Sequence, residues 1–355
     1  MRNSTPETSG KGKRHGGLDA LRALAALFVI VNHATFLPAD SGEDAMWSSA
    51  IIYTLVFPAV PLFVMMSGAF ILNRDKNSNA WSFYWHSIKK LFPLSALMFL
   101  VYFCLHTGHP SRFFQGTESL ASLVKHMIMQ YKSGPPGALW FICMLPGLYL
   151  LVPLLVIVRQ KTTLCVQVLL SGAFMVLYFC QYGLELWGLP HPLSAVSWIG
   201  YFLLGMILMN LAEAKRLPSA RCTMWVGLCL FAVLAFRTHG YIAAHEDIYP
   251  HVEAFMTPSS LIVACTLFII FAQLKDMRTS WLVSKFAEVS FVVYLTHSLV
   301  LHMLRSVLYH LGLISQLHHS YSVSILFTVL GVLLTFLLSW AMDATYKRVC
   351  AALGA

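Results

Sequence analysis

Apolar runs of about twenty residues alternate with short polar links along almost the whole chain. Ten segments have the length and character of membrane-crossing helices: approximately 18–37, 49–72, 88–106, 138–158, 163–181, 193–212, 222–238, 256–274, 286–307 and 321–343. A helix needs about 20 mostly apolar residues to cross the hydrocarbon layer. Helices are the expected form because a backbone in lipid must satisfy its own hydrogen bonds. One link is longer, 107–137, and its stretch GTESLASLVKHMIMQYKSGPPG predicts an amphipathic helix lying on the surface. The pattern holds no soluble domain and no internal repeat. The expected fold is an all-α membrane protein of about ten transmembrane helices over 16–346, flanked by polar tails at 1–15 and 347–355.

Composition supports this class: 58% of the 355 residues are hydrophobic and 11% charged, against roughly 25% charged in soluble domains. The net charge of +9 comes from basic residues scattered in pairs between apolar runs. They form no basic domain, so no nucleic-acid partner is expected. Their distribution instead predicts orientation. Of the 24 Lys and Arg residues, 18 fall in the tails and one alternate set of links, five in the other set, and Arg22 inside the first span. This bias predicts both termini in the cytoplasm and an even number of spans.

The chain begins with Lys11, Lys13 and Arg14 ahead of an apolar run, with a weak processing site at Leu37-Pro38-Ala39. A cleavable signal peptide would begin in the same way. Asp19 and Arg22 interrupt the run, however, and an uncleaved first span is the preferred reading. The eight cysteines sit in apolar runs without CxxC spacing and read as small packing residues. His239, His245 and His251 share one outer link but lack a compact ligand spacing, so no metal site is expected.

The first span, GGLDALRALAALFVIVNHATF, carries three residues that lipid penalises by several kcal/mol. Eleven positions separate Arg22 from His33, a rotation of about 1100°, or about 20° beyond three full turns. The two therefore lie on one stripe, about 16 Å apart along the axis. Asp19 lies one turn before Arg22, in range of an ion pair. Snorkelling of Asp19 and Arg22 and a packing role for His33 are the plain alternatives, but neither accounts for the alignment.

In the ninth span, Ser290, Tyr294 and His297 share a face, and His297 is either a packing residue or functional. Ser67-Gly68 permits a close helix contact, Trp140 reads as an interface anchor, and Pro146 and Pro153 predict kinks. Lys89 and Lys90 are positioned for positive-inside anchoring or for attracting an anionic cofactor.

LDALRALAALFVIVNHA resembles the signature of the acyltransferase-3 family of integral membrane acyltransferases, in which an Arg and a His separated by ten residues lie in the first span. Five further stretches resemble that family's motifs in the same order: PLFVMMSGAFIL, KKLFP, ALWFICMLPGLYLLVPLL, YFLLGM and SFVVYLTHSLVL. Two positions depart from the usual pattern. Ala20 stands where Gly is common, and Lys89 and Lys90 stand where Arg, with its planar fork for phosphate, is common.

The resemblance implies a stand-alone O-acetyltransferase of the bacterial inner membrane. It would move an acetyl group from cytoplasmic acetyl-CoA to a hydroxyl of a cell-envelope polysaccharide or lipid-linked sugar. Arg22, Lys89 and Lys90 would then face the cofactor, and His33 would act as general base or acyl carrier, with Asp19 beside Arg22. Tyr294, His297, Trp140 and Ser67 would be weaker candidates for contact with the acceptor. A proton-coupled transporter or glycan-export permease is the rival class, because it too places His, Arg and Asp inside spans.

Overall fold

The computed structural model describes residues 15–34, 42–107, 109–133, 140–183, 195–245 and 258–352, and the regular structure among them is helical. By length and composition, six helices are fit to cross a membrane, and eight if each of two bent pairs counts as one crossing. The remaining two expected spans are also helical but shorter, Leu164–Cys180 and Pro258–Ala272. The chain is thus a multi-pass helical membrane protein. The expected surface helix is present at Leu120–Ser133, with Leu120, Val124 and Ile128 exposed along it.

Helix α1 (Gly16–Ala34) is the hub. It packs against α2 (Gly42–Val56), α3 (Ala59–Ile71), α12 (Pro258–Ala272), α13 (Trp281–His310) and α15 (Tyr321–Ala352). Leu18, Leu21, Ala25 and Ile30 have no exposed surface. By contrast, α15 leaves Ile325, Leu326, Val329 and Leu333 exposed, as a helix facing lipid should.

Two glycine contacts set the spacing. At the start of α1, the Gly16 and Gly17 amides donate to the carbonyls of Lys275 and Leu274 at 3.1 and 3.0 Å. A Cβ on Gly16 would stand 1.9 Å from the Met277 carbonyl oxygen, so the double glycine lets the helix end press onto that link. Helix α3 meets α10 (Ile199–Glu213) in the same way from both sides. A Cβ on Gly68 would lie 1.8 Å from the Phe202 oxygen, and one on Gly205 1.9 Å from the Met65 oxygen. Between membrane helices, where apolar surface gives no preference over lipid, such close approach supplies much of the attraction.

Two bends shape the functional region. The first lies in α4 (Ala80–His106), which turns by 44° between Lys89 and Leu91. Pro93 has no N–H to give the Lys89 carbonyl four residues back, and the Tyr346 hydroxyl donates to that carbonyl at 3.5 Å. The second lies between α7 (Trp140–Leu150) and α8 (Val152–Lys161), which meet at 49° with Pro153 in the first turn of α8. There the Leu150 carbonyl accepts the Tyr84 hydroxyl at 2.7 Å. Tyr84→Phe is expected to lower stability by about 1 kcal/mol, measured as the unfolding midpoint in detergent. An unchanged midpoint would mean that the bond contributes nothing.

Candidate functional site

The polar seam of α1 is enclosed by protein at Asp19 and opens toward its His33 end. Asp19 is buried, and its Oδ1 lies 4.0 Å from the Arg22 Nη1. The Arg22 guanidinium sits 5.1 Å above the Phe70 ring of α3 and interacts electrostatically with Tyr149 of α7. Ala26 and Val29, one and two turns along, are buried. At the far end of the helix His33 is exposed. Its backbone carbonyl accepts a 2.7 Å hydrogen bond from Arg305 Nη2, a cation placed at the negative end of the helix dipole.

The His33 ring lies 5.2 Å, centroid to centroid, from the ring of His297 on α13, tilted by 34°. The sequence placed these residues on two separate seams, and packing of α1 on α13 brings them together. Ser290, Tyr294 and His297 are all buried, and His297 has no exposed surface. Tyr294 packs on His297 at 5.6 Å and edge-on to Phe141 at 5.3 Å. Phe141 in turn meets Trp140 at 6.2 Å, which links Trp140 to the histidine pair through the Phe141 and Tyr294 rings. Ser67 is half-buried on α3, next to Gly68.

One contributor had no sequence signal beyond a single Tyr in the apolar run LMFLVYFCL. Tyr102 of α4 is fully buried. Its hydroxyl accepts from the Leu299 amide at 2.7 Å and donates to the Leu295 carbonyl at 3.3 Å. Those two backbone groups would pair with each other in an uninterrupted helix. The tyrosine is therefore wedged into the turn of α13 that carries His297. Thr296 pins the same turn through Ser339 Oγ of α15, at 2.9 Å.

Toward the opposite end of α1, a cavity of about 220 Å³ is lined by Arg74, Lys76, His86, Ser87 and Tyr149 among others. Of these, Tyr149 also interacts electrostatically with Arg22. Asp75, in the link between α3 and α4, joins this region to α8 through Arg159 and Gln160. The Gln160 amide and the Arg159 guanidinium hold the Asp75 carboxyl below its ordinary range.

Lys89 is exposed, with its ammonium 5.0 Å from the Trp85 ring, and is not part of the cavity lining. The side chain of Lys90 lies outside the described residues, as does His251. His239 stacks on Trp47 at 4.0 Å. Among the described residues no group of three or more His, Cys, Asp or Glu side chains is placed to hold a metal ion. The sequence reading missed Arg74, Lys76 and His86 because they sit in or beside a polar link, where a basic residue reads as topology rather than chemistry.

A multi-pass helical bundle with an ion pair and two facing histidines built onto its central helices defines a membrane protein with an intramembrane polar site. The profile described as "Acyltransferase domain" matches residues 15–344, and the chain belongs to the acyltransferase-3 family. It is a membrane acyltransferase, which implies an acyl donor. No curated protein and no solved structure matches the chain.

Proposed function

We propose that the protein transfers an acetyl group from cytoplasmic acetyl-CoA to a hydroxyl of a cell-envelope glycan or lipid-linked sugar, across a bacterial inner membrane with both termini inside. The observation that carries this reading is the seam of α1 in a chain of this family. One helix holds the Asp19–Arg22 pair toward one end and an accessible His33 at the other. The charge bias of the links supports a cytoplasmic Arg22 end, where acyl-CoA is available.

Arg22, held by Asp19 and Phe70, is suited to a coenzyme A phosphate, together with Arg74 and Lys76 of the nearby cavity. Lys89 and Lys90 add positive charge at the approach. The long flexible arm of coenzyme A would carry the thioester along α1, a distance of about 16 Å. In the transfer, the acceptor oxygen bonds to the acyl carbon as the C–S bond breaks. His33 takes the hydroxyl proton, and coenzyme A leaves as the thiolate. In the covalent variant the His33 ring nitrogen first takes the acyl group and then yields it to the hydroxyl. Tyr294, Trp140 and Ser67 are the further candidates for contact with the acceptor.

The test is transfer of label from acetyl-CoA by the purified protein in proteoliposomes supplied with envelope glycan. The expected product is a glycan heavier by about 42 Da per group. Thioester that stays intact, with no glycan gaining mass, would overturn the reading. Arg22→Ala is expected to raise the KM for donor by about 10- to 100-fold, the worth of a charge-assisted hydrogen bond. A lower unfolding midpoint with unchanged KM would make Arg22 a purely structural residue.

A further inference from the structure

We propose that His297 is a positioning residue that fixes the tautomer of His33, an assignment that rests on His33 being the proton acceptor described above. The argument begins with hydrogen-bond inventory. His297 Nδ1 lies 2.7 Å from the Tyr294 carbonyl oxygen. A carbonyl only accepts, so Nδ1 carries the hydrogen and Nε2 of the neutral ring carries a lone pair.

That Nε2 is fully buried and has no hydrogen-bond partner among the described residues. A buried acceptor left in this condition is costly, and such groups are retained where they serve a function. The group positioned to use it is His33, whose ring is 5.2 Å away. With hydrogen-bond lengths of about 2.9 Å, a turn of the exposed His33 ring brings one of its N–H groups onto that lone pair. Contacts of this kind are often open in unliganded sites and close when substrate binds.

The consequence is a defined division of work. The His33 nitrogen facing His297 carries the hydrogen, which leaves the lone pair on the nitrogen facing the acceptor. When the hydroxyl attacks, its proton passes to that outer nitrogen. The resulting imidazolium is held by its inner N–H on His297 Nε2 until the proton is released to the departing thiolate. His297 touches neither substrate and acts through His33. Its ring is held by the Tyr294 carbonyl, and the turn that carries it is held by the Tyr102 hydroxyl between Leu295 and Leu299 and by the Thr296–Ser339 contact. A fully buried imidazole thus faces an exposed one.

The test compares His297→Phe, His297→Gln and His297→Asn in the proteoliposome assay. Phe fills the space without an acceptor. Gln places an amide oxygen near the Nε2 position, and Asn is too short to reach His33. The Phe variant is expected to lose about 100-fold in kcat with donor KM within about twofold of wild type. Gln should recover about tenfold over Phe and over Asn. Wild-type kcat in the Phe variant, a loss confined to KM, or equal activity of Gln and Asn would each overturn the assignment. If the Phe variant does not fold, the Gln and Asn comparison decides alone. Wild-type protein that transfers no acyl group overturns the underlying reading. Active wild type, with His33→Ala inactive and the Phe variant unaffected, overturns only the role of His297.

Discussion

His33→Ala is expected to lower kcat for acyl transfer by about 10²- to 10⁴-fold, the usual contribution of a positioned base, while the protein remains inserted and folded. The geometry separates the two effects. His33 has exposed surface in the last turn of α1, so its truncation opens less space than that of a fully enclosed residue. Alanine favours the helix. The Arg305 contact is made to the backbone carbonyl, which the substitution retains. The unfolding midpoint should therefore change by much less than the activity. The measurement is kcat with labelled acetyl-CoA alongside the melting curve of the same sample. Full activity in the variant would remove His33 from the mechanism, and a collapse of the fold would make it structural. The wild-type protein incubated with donor alone also distinguishes the two chemistries. Label retained on the protein and absent from the Ala variant identifies the acyl-imidazole route, whereas its absence from both leaves direct transfer.

The fold was largely legible because lipid imposes a simple rule. Each span must pair its own backbone groups, so hydropathy marks helices without any knowledge of their neighbours. Helical periodicity then made the Asp19–Arg22 pair readable, since i and i+3 positions adjoin on any helix. Residues joined only by packing were not legible. His33 and His297 lie on separate spans, and nothing in either segment says which faces meet. Tyr102 is one aromatic among many in its run, and its position in the α13 ladder depends on how α4 crosses it. The bend predicted from Pro146 and Pro153 occurs between α7 and α8, whereas the bend of α4 is not predicted, although Pro93 in KKLFP carries the same proline signal. Ser67-Gly68 marks a site of close contact in the sequence, and its partner Gly205 stands in YFLLGM. The reciprocity of Gly68 and Gly205 is visible only once α3 and α10 are paired.

That reciprocity makes Gly68→Ala the second large effect, a loss of about 3 kcal/mol. The added Cβ would lie 1.8 Å from the Phe202 carbonyl oxygen, a backbone atom of a buried helix that no side-chain rotation can move. The helices must separate, and the contacts around Met65, Phe202 and Leu203 open with them. Gly172→Ala is the control, because a Cβ there meets nothing within 4 Å. It is expected to leave the midpoint unchanged or raise it slightly, as alanine is about 1 kcal/mol better than glycine in a helix. If Gly68→Ala melted with the control, the close approach of α3 and α10 would be wrong. Gly205→Ala should cost about as much alone, yet the double variant should cost less than the sum. Once the first substitution has pushed the helices apart, the second methyl enters space already opened. The same displacement carries Phe70 away from beneath Arg22. Gly68→Ala should therefore weaken donor binding as well, even though Gly68 itself contacts Phe202 rather than the ion pair. A variant that melts early and keeps the wild-type donor KM would show that Arg22 holds its place without Phe70.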